Sequence, residues 1–118
     1  MARRRILIVD DDDDIIIAMQ AVLESDGHYV TIAKNEKECL EKYSENAPEV
    51  VFLDLMMEKM DSGINLCRAI RSIDKNVKIY LLSAVGDETA GTLDIHEIGF
   101  NGAMSKPVSS DELLELAR

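Results

Sequence analysis

At 118 residues, with 47% hydrophobic and 31% charged residues, the chain suits one soluble domain large enough to bury a core. Its formal net charge of -10 argues against a nucleic-acid binder, which needs clustered Lys and Arg; the only basic run, Arg3-Arg4-Arg5, reads as a solvated edge. No apolar stretch approaches the roughly 18 residues of a membrane span, no signal-peptide core opens the chain, and Cys39 and Cys67 lack metal-ligand spacing, so reduced buried thiols in a cytoplasmic protein are expected.

Arg5 to Val9 is a short apolar run and is expected to form the first strand, ending in five consecutive aspartates, Asp10 to Asp14. A helix is expected over about 14–26, with Ile15, Met19, Val22 and Leu23 on its inner face and Gly27 closing it. Tyr29 to Ala33 reads as a second strand. Asn35 and Glu38 have capping-box spacing and open a helix expected to bury Cys39, Leu40 and Tyr43, with Pro48 ending that region. Val50 to Leu53 then run into Asp54, a pattern expected of a strand buried on both faces. A charge there requires a partner, a cation or a use, because a buried lone carboxylate is unfavourable.

Residues 58–63 read as a loop, and 64–73 as a helix with Leu66, Cys67, Ile70 and Ile73 inward. Val77 to Leu82 form a fourth expected strand, ending at Ser83. The next helix, about 88–98, has few inward candidates (Ala90, Leu93, Ile98, with Ile95 flanking). Gly91 also costs it about 1 kcal/mol against Ala, so it is expected to be the least stable. A short strand over 102–105 leads to Lys106-Pro107, and Ser109 with Glu112 can cap a last helix.

Five strands alternating with five helices predict an α/β domain with one mostly parallel sheet, and right-handed crossovers restrict it to doubly wound orders such as 2-1-3-4-5. In such sheets ligands bind outside the carboxyl ends of the strands, where the strand order reverses. Asp10 and Asp11 follow the first strand, Asp54 ends the third, Ser83 the fourth and Lys106 the fifth, so all are expected on one rim. Three carboxylates within about 5 Å repel by roughly 3 kcal/mol per pair at an effective dielectric of 20. Lys106 offsets part of that, and carboxylate, carbonyl and water oxygens suit Mg²⁺. The set fits phosphoryl chemistry: Lys106 and the metal neutralise phosphoryl oxygens, Ser83 donates a hydrogen bond, and Asp54 attacks as nucleophile to give an acyl phosphate.

Ile6-Leu7-Ile8-Val9-Asp10-Asp11-Asp12, Leu53-Asp54-Leu55-Met56-Met57, Leu82-Ser83-Ala84 and Ser105-Lys106-Pro107 together resemble the receiver domains of two-component response regulators, including those of the chemotaxis type. The resemblance runs nearly end to end. It implies a flavodoxin-like fold and a cytoplasmic phosphorelay protein, not an enzyme, that takes a phosphoryl group on Asp54 from a histidine kinase or phosphotransfer protein. It implies Asp11 and Asp54 as Mg²⁺ ligands, the Met56 backbone carbonyl as a third, and Asp10 acting through water. Ser83 and Lys106 match the hydroxyl and lysine that touch the phosphoryl group, and the Lys106-Pro107 peptide matches one that is usually cis. The whole chain reads as one receiver, excised from a longer protein with an output domain, and a phosphorylation-dependent homodimer is compatible with it.

Three departures qualify this. Glu58 stands where the family usually has Pro, the Lys59-to-Gly63 loop is one residue longer than usual, and Ala103 replaces the expected aromatic switch residue. The switch is therefore expected elsewhere, in the helix around Gly91, or attenuated. Met56 and Val85 flank the line of water attack and are apolar, so slow self-dephosphorylation is expected. Two competing readings are a haloacid-dehalogenase-like phosphohydrolase and a pseudo-receiver. The first needs an acidic pair after Lys106 that is missing and leaves Asp54 unexplained. The second is kept open by Ala103. A calcium loop at Asp10 to Asp14 lacks the required glycine and glutamate.

Overall fold

The computed structural model describes residues 3–59, 61–84 and 94–118. Its elements alternate in chain order: β1 Arg5–Val9, α1 Asp13–Ser25, β2 Tyr29–Ala33, α2 Glu36–Asn46, β3 Val50–Asp54, α3 Ser62–Ile73, β4 Lys78–Ala84, α4 Ile95–Ile98, β5 Gly102–Lys106 and α5 Ser110–Ala117. The five strands form one sheet of order β2-β1-β3-β4-β5, and every neighbouring pair is parallel. The doubly wound order read from the sequence is therefore the one adopted.

The sheet has two buried faces because side chains alternate along each strand. Leu7, Val9, Val51, Leu53, Ile79 and Leu81 join Cys39 and Tyr43 of α2 and Leu66, Cys67 and Ile70 of α3 in one core. Ile6, Ile8, Val50, Phe52, Tyr80 and Leu82 join Ile16, Met19 and Leu23 of α1 and Leu113 and Ala117 of α5 in the other. β3 lies at the centre with all five residues buried. That explains why its sequence is a continuous apolar run and not an alternating one. Burial pushes the Cys39 thiol up to about 12 and the Cys67 thiol up to about 11, so both remain unreactive core residues.

Helix ends follow local chemistry. Asp12 caps α1 by accepting from the Asp14 and Ile15 N–H groups. Asn35 accepts from Glu38 N–H at 2.8 Å while the Glu38 carboxylate accepts from Lys34 N–H at 3.2 Å and from the Asn35 amide at 3.0 Å. Ser109 accepts from Glu112 N–H at 3.4 Å. Gly27 ends the α1 region at φ +91°, a left-handed conformation that glycine adopts without steric cost.

Several expectations require correction. α1 buries Ile16 and leaves Ile15 at its margin. Leu40 and Ile73, assigned to inner faces, are exposed at 43% and 70%, because the cores are already filled by Cys39 and Tyr43 in α2 and by Leu66, Cys67 and Ile70 in α3. α3 begins at Ser62, so the last two residues of the expected 58–63 loop are helical. Of the helix expected over 88–98, the described residues contain Ile95–Ile98; Val85, Ala90, Gly91 and Leu93 lie outside the described residues.

Candidate functional site

Parallel register brings the polar strand ends together. Val9 pairs with Leu53, Asp54 with Leu82, Ser83 with Ser105, and Ala84 with Lys106. By alternation, Asp10 continues the face of Ile8, Asp54 that of Phe52, and Lys106 that of Met104, so the three side chains leave the sheet on the α1/α5 side and meet. Lys106 Nζ lies 2.8 Å from Asp10 Oδ2 and 3.2 Å from Asp54 Oδ1. Asp10 is fully buried and Asp54 is 7% exposed.

The two oxygens of the Asp10 carboxylate meet different partners. Its Oδ1 accepts from Asp12 N–H at 3.0 Å. Its Oδ2 lies 2.8 Å from the Lys106 ammonium, and no other partner for it is found among the described residues. Asp11 is exposed at the mouth, and one carboxylate oxygen from each of Asp10, Asp11 and Asp54 falls within 4.8 Å of the others. Among the described residues nothing donates to the Met56 carbonyl, two positions beyond Asp54.

Charge is therefore unbalanced, with three carboxylates around one ammonium. Burial pushes the Asp54 carboxyl up to about 6; the Asp10 charge adds to the rise and Lys106 opposes it. Burial works to lower Lys106, but Asp10 and Asp54 more than offset it, and its ammonium is held above the usual 10.5. Lys106 thus remains charged at neutral pH, whereas Asp54 is held at the edge of ionisation. A divalent cation suits this donor set, because three carboxylates converge within ligand range around a single ammonium and hard oxygen donors are what Mg²⁺ takes.

The backbone beneath Asp54 is set by a close approach. A Cβ on Gly63 would lie 2.4 Å from the Asp54 carbonyl oxygen and 2.9 Å from Leu55 Cα, and Gly63 N–H donates to the Leu55 carbonyl at 2.9 Å. The first turn of α3 therefore rests directly on the end of β3. Ser83 sits at the same rim, 9% exposed, one residue past the partner of Asp54. No hydrogen bond between described residues joins it to Asp54 or Lys106.

A rim of this composition on this sheet places the chain beside known proteins. The response regulator receiver domain family matches residues 6–118. The chain belongs to that family. It is 34% identical to the chemotaxis protein CheY of Bacillus subtilis (strain 168) over 86 residues, 73% of this chain and 70% of that protein. It is 33% identical to the response regulator MprA of Mycobacterium sp. (strain KMS) over 104 residues, 86% of this chain but 43% of that protein. Among solved structures, the receiver domain of NtrX from Brucella abortus superposes with a TM-score of 0.85 at 28% identity, covering 95% of this chain and 93% of that one. A response regulator receiver domain protein from Clostridium thermocellum gives 0.84 at 30%, covering 96% and 90%. This receiver thus stands among proteins of two-component signalling, a regulatory family and not one of turnover enzymes.

The five-aspartate run proves to be divided in its tasks. Asp10 and Asp11 face the site, Asp12 caps α1, and Asp13 pairs with Lys34. Asp12 carries a recognisable signal, an acidic residue just before an apolar period of helical spacing. Gly63 and Lys34 carry none, because their roles come from contacts between segments distant in the chain. No helix among the described residues is long and apolar enough to cross a membrane.

Proposed function

We propose that this receiver accepts a phosphoryl group on Asp54 in a Mg²⁺-dependent reaction, from a histidine kinase or phosphotransfer protein, and passes the change to a partner or attached output domain. The observation that carries this is Lys106, half-buried and shared between Asp10 and Asp54 at 2.8 and 3.2 Å, in a rim still short of positive charge. Lys106 holds Asp54 Oδ1, so Oδ2 is the oxygen free to attack phosphorus. The bond from phosphorus to the donor's imidazole nitrogen breaks as the new P–O bond forms, and the electron pair stays on nitrogen. Asp11, Asp54 and the Met56 carbonyl would hold the metal, with Asp10 acting through water. When bound, the metal neutralises charge on the phosphoryl oxygens and on the clustered carboxylates. Lys106 meets a phosphoryl oxygen once Asp54 carries the acyl phosphate, and Ser83 supplies a hydroxyl donor from β4.

Protonated Asp54 is a poor nucleophile, and burial raises its carboxyl in the metal-free site; a cation bound beside it would favour the ionised form that attacks. Met56, 40% exposed beside Asp54, cannot orient a water, which supports slow self-dephosphorylation; Val85, its expected counterpart, lies outside the described residues. Ala103 is exposed on β5 and offers no aromatic reporter, so the response is assigned to other segments. A beryllofluoride phosphoryl mimic should then alter hydrogen exchange over 84–98, and unchanged exchange would count against that route. Dimerisation on phosphorylation belongs to the same proposal, as does a cytoplasmic site of action.

The decisive experiment incubates the protein with a small acyl-phosphate donor, with Mg²⁺ or with chelator, and follows intact mass. One phosphoryl group should be added only with Mg²⁺, and Asp54→Asn should remain unmodified. Modification of Asp54→Asn to the wild-type extent would sink the assignment. Met56→Asn should shorten the lifetime of the adduct.

A further inference from the structure

Beyond Asp54 the chain leaves the rim and leans on α2. Glu58 Oε1 accepts from the Glu36 N–H at 2.9 Å, across 22 positions of sequence. Lys59 N–H donates to Ser62 Oγ at 3.0 Å, and that hydroxyl in turn donates to Glu36 Oε2 at 3.4 Å. One residue of α2, Glu36, thus receives the segment twice, through its backbone and through its carboxylate. The first-turn N–H groups of a helix have no intrahelical acceptor. Asn35 takes that of Glu38, and Glu58 takes that of Glu36. A carboxylate in that position is favoured by the helix dipole and makes a charge-assisted bond. Ser62 is fully buried, so its hydroxyl is a fixed part of the joint.

The near end of the segment is held to the sheet, since Leu55 N–H donates to the Leu82 carbonyl at 2.9 Å and Gly63 N–H to the Leu55 carbonyl at 2.9 Å. Met56 and Met57 lie between the Leu55 anchor and the Glu58 anchor, so the direction of the Met56 carbonyl depends on both. The start of α2 is also tied to the other acidic loop, because Lys34 pairs with Asp13. α2 therefore stands between the segment bearing Asp11 and the segment bearing Met56. Glu58 and Ser62 fall where this chain departs from the usual receiver pattern, and both departures end on Glu36.

We propose that Glu58 is a positioning residue for the metal site, clamping the segment that carries the Met56 carbonyl to the first turn of α2. It rests on the phosphoacceptor reading above. Coupling of this kind is reciprocal: filling the site steadies the first turn of α2, and loosening that turn weakens the site.

The test is a Mg²⁺ titration of wild type, Glu58→Ala, Glu58→Gln and Ser62→Ala, followed by backbone-amide NMR with exchange measured at Glu36 N–H. Glu58→Ala should weaken Mg²⁺ binding about fivefold, the scale of one lost helix-cap bond. Glu58→Gln, which keeps an acceptor oxygen, should recover part of that. Ser62→Ala should shift affinity in the same direction, which keeps the test open should Glu58→Ala fold poorly. Mg²⁺ should slow exchange at Glu36 in wild type and not in Glu58→Ala. A purely structural Glu58 would lower the melting temperature and leave both readouts unmoved, and that result overturns the inference. Failure of wild type to bind Mg²⁺ overturns the phosphoacceptor reading and this inference with it.

Discussion

The two ends of the sheet handle charge in opposite ways. At the amino rim, Glu49 lies 3.4 Å from Arg4 and 3.6 Å from Arg5 and accepts from Arg5 N–H at 3.2 Å. Asp26 lies 3.7 Å from Arg118, and the Arg4 guanidinium also donates to the Arg118 carbonyl at 3.1 Å. These side chains are partly open to water, and Glu49 is held below the usual carboxylate range, first by the Arg5 N–H. At the carboxyl rim a single Lys106 is shared by two buried carboxylates, with a third at the mouth. The amino rim spreads its charges in pairs of opposite sign on a partly solvated surface, where each pair contributes little and costs little. The carboxyl rim concentrates like charge where water screens it poorly, and such an arrangement marks a candidate ligand site.

Substitutions at the carboxyl rim should therefore have large effects, beginning with its backbone. Gly63→Ala forces a Cβ to 2.4 Å from the Asp54 carbonyl, and both partners are main chain. A loss of about 4 kcal/mol in urea unfolding is expected, at the upper end for a single methyl. A loss under about 1 kcal/mol would mean that α3 can move off β3 freely.

Lys106→Met keeps the volume and removes the shared cation. Asp10 and Asp54 are then left facing each other, and about 3 kcal/mol should be lost at neutral pH. Acid should restore part of it, since protonating either carboxylate removes the repulsion. A variant as stable as wild type at pH 7 would show that Lys106 does not hold the rim together.

The metal-free protein should become more stable as pH falls from 7 to 5. The Asp54 carboxyl is raised to about 6 from 3.8, so the folded state binds the proton more tightly than the unfolded one. Its contribution is present in acid and is lost as pH rises through 6. The gain is about 1 kcal/mol over that interval, read by thermal melts. Asp54→Asn should flatten the profile, and saturating Mg²⁺ should reverse its slope by favouring the ionised carboxylates.

The amino rim supplies the smallest effect and the control. A double-mutant cycle on Arg4 and Glu49 should return a coupling below about 1 kcal/mol that fades with added salt. A coupling as large as the Lys106 effect would erase the contrast between the rims.

Much of this was legible before any coordinates. A doubly wound sheet followed from alternation of strands and helices with right-handed crossovers, which leave 2-1-3-4-5 among the few allowed orders, and the convergence of Asp10, Asp11, Asp54 and Lys106 followed from their places at strand ends. The caps at Asn35 and Ser109 were legible because capping is a local bond, closed within four residues. Leu40 and Ile73 were misplaced because helical period alone does not say how wide a buried stripe must be. That width depends on how much neighbouring elements fill, and Cys39, Tyr43 and Ile70 were enough.

What the chain determined by itself was the kind of fold and the chemistry gathered at one rim, since periodicity, strand ends and caps act over a few residues at a time. What only the tertiary structure decided was distance and burial. Lys106 reaches Asp10 more closely than Asp54, Gly63 lies against the Asp54 carbonyl, and Glu58 crosses to the first turn of α2. Each of these joins residues on separate elements, and the packing of whole elements sets the last ångström between them.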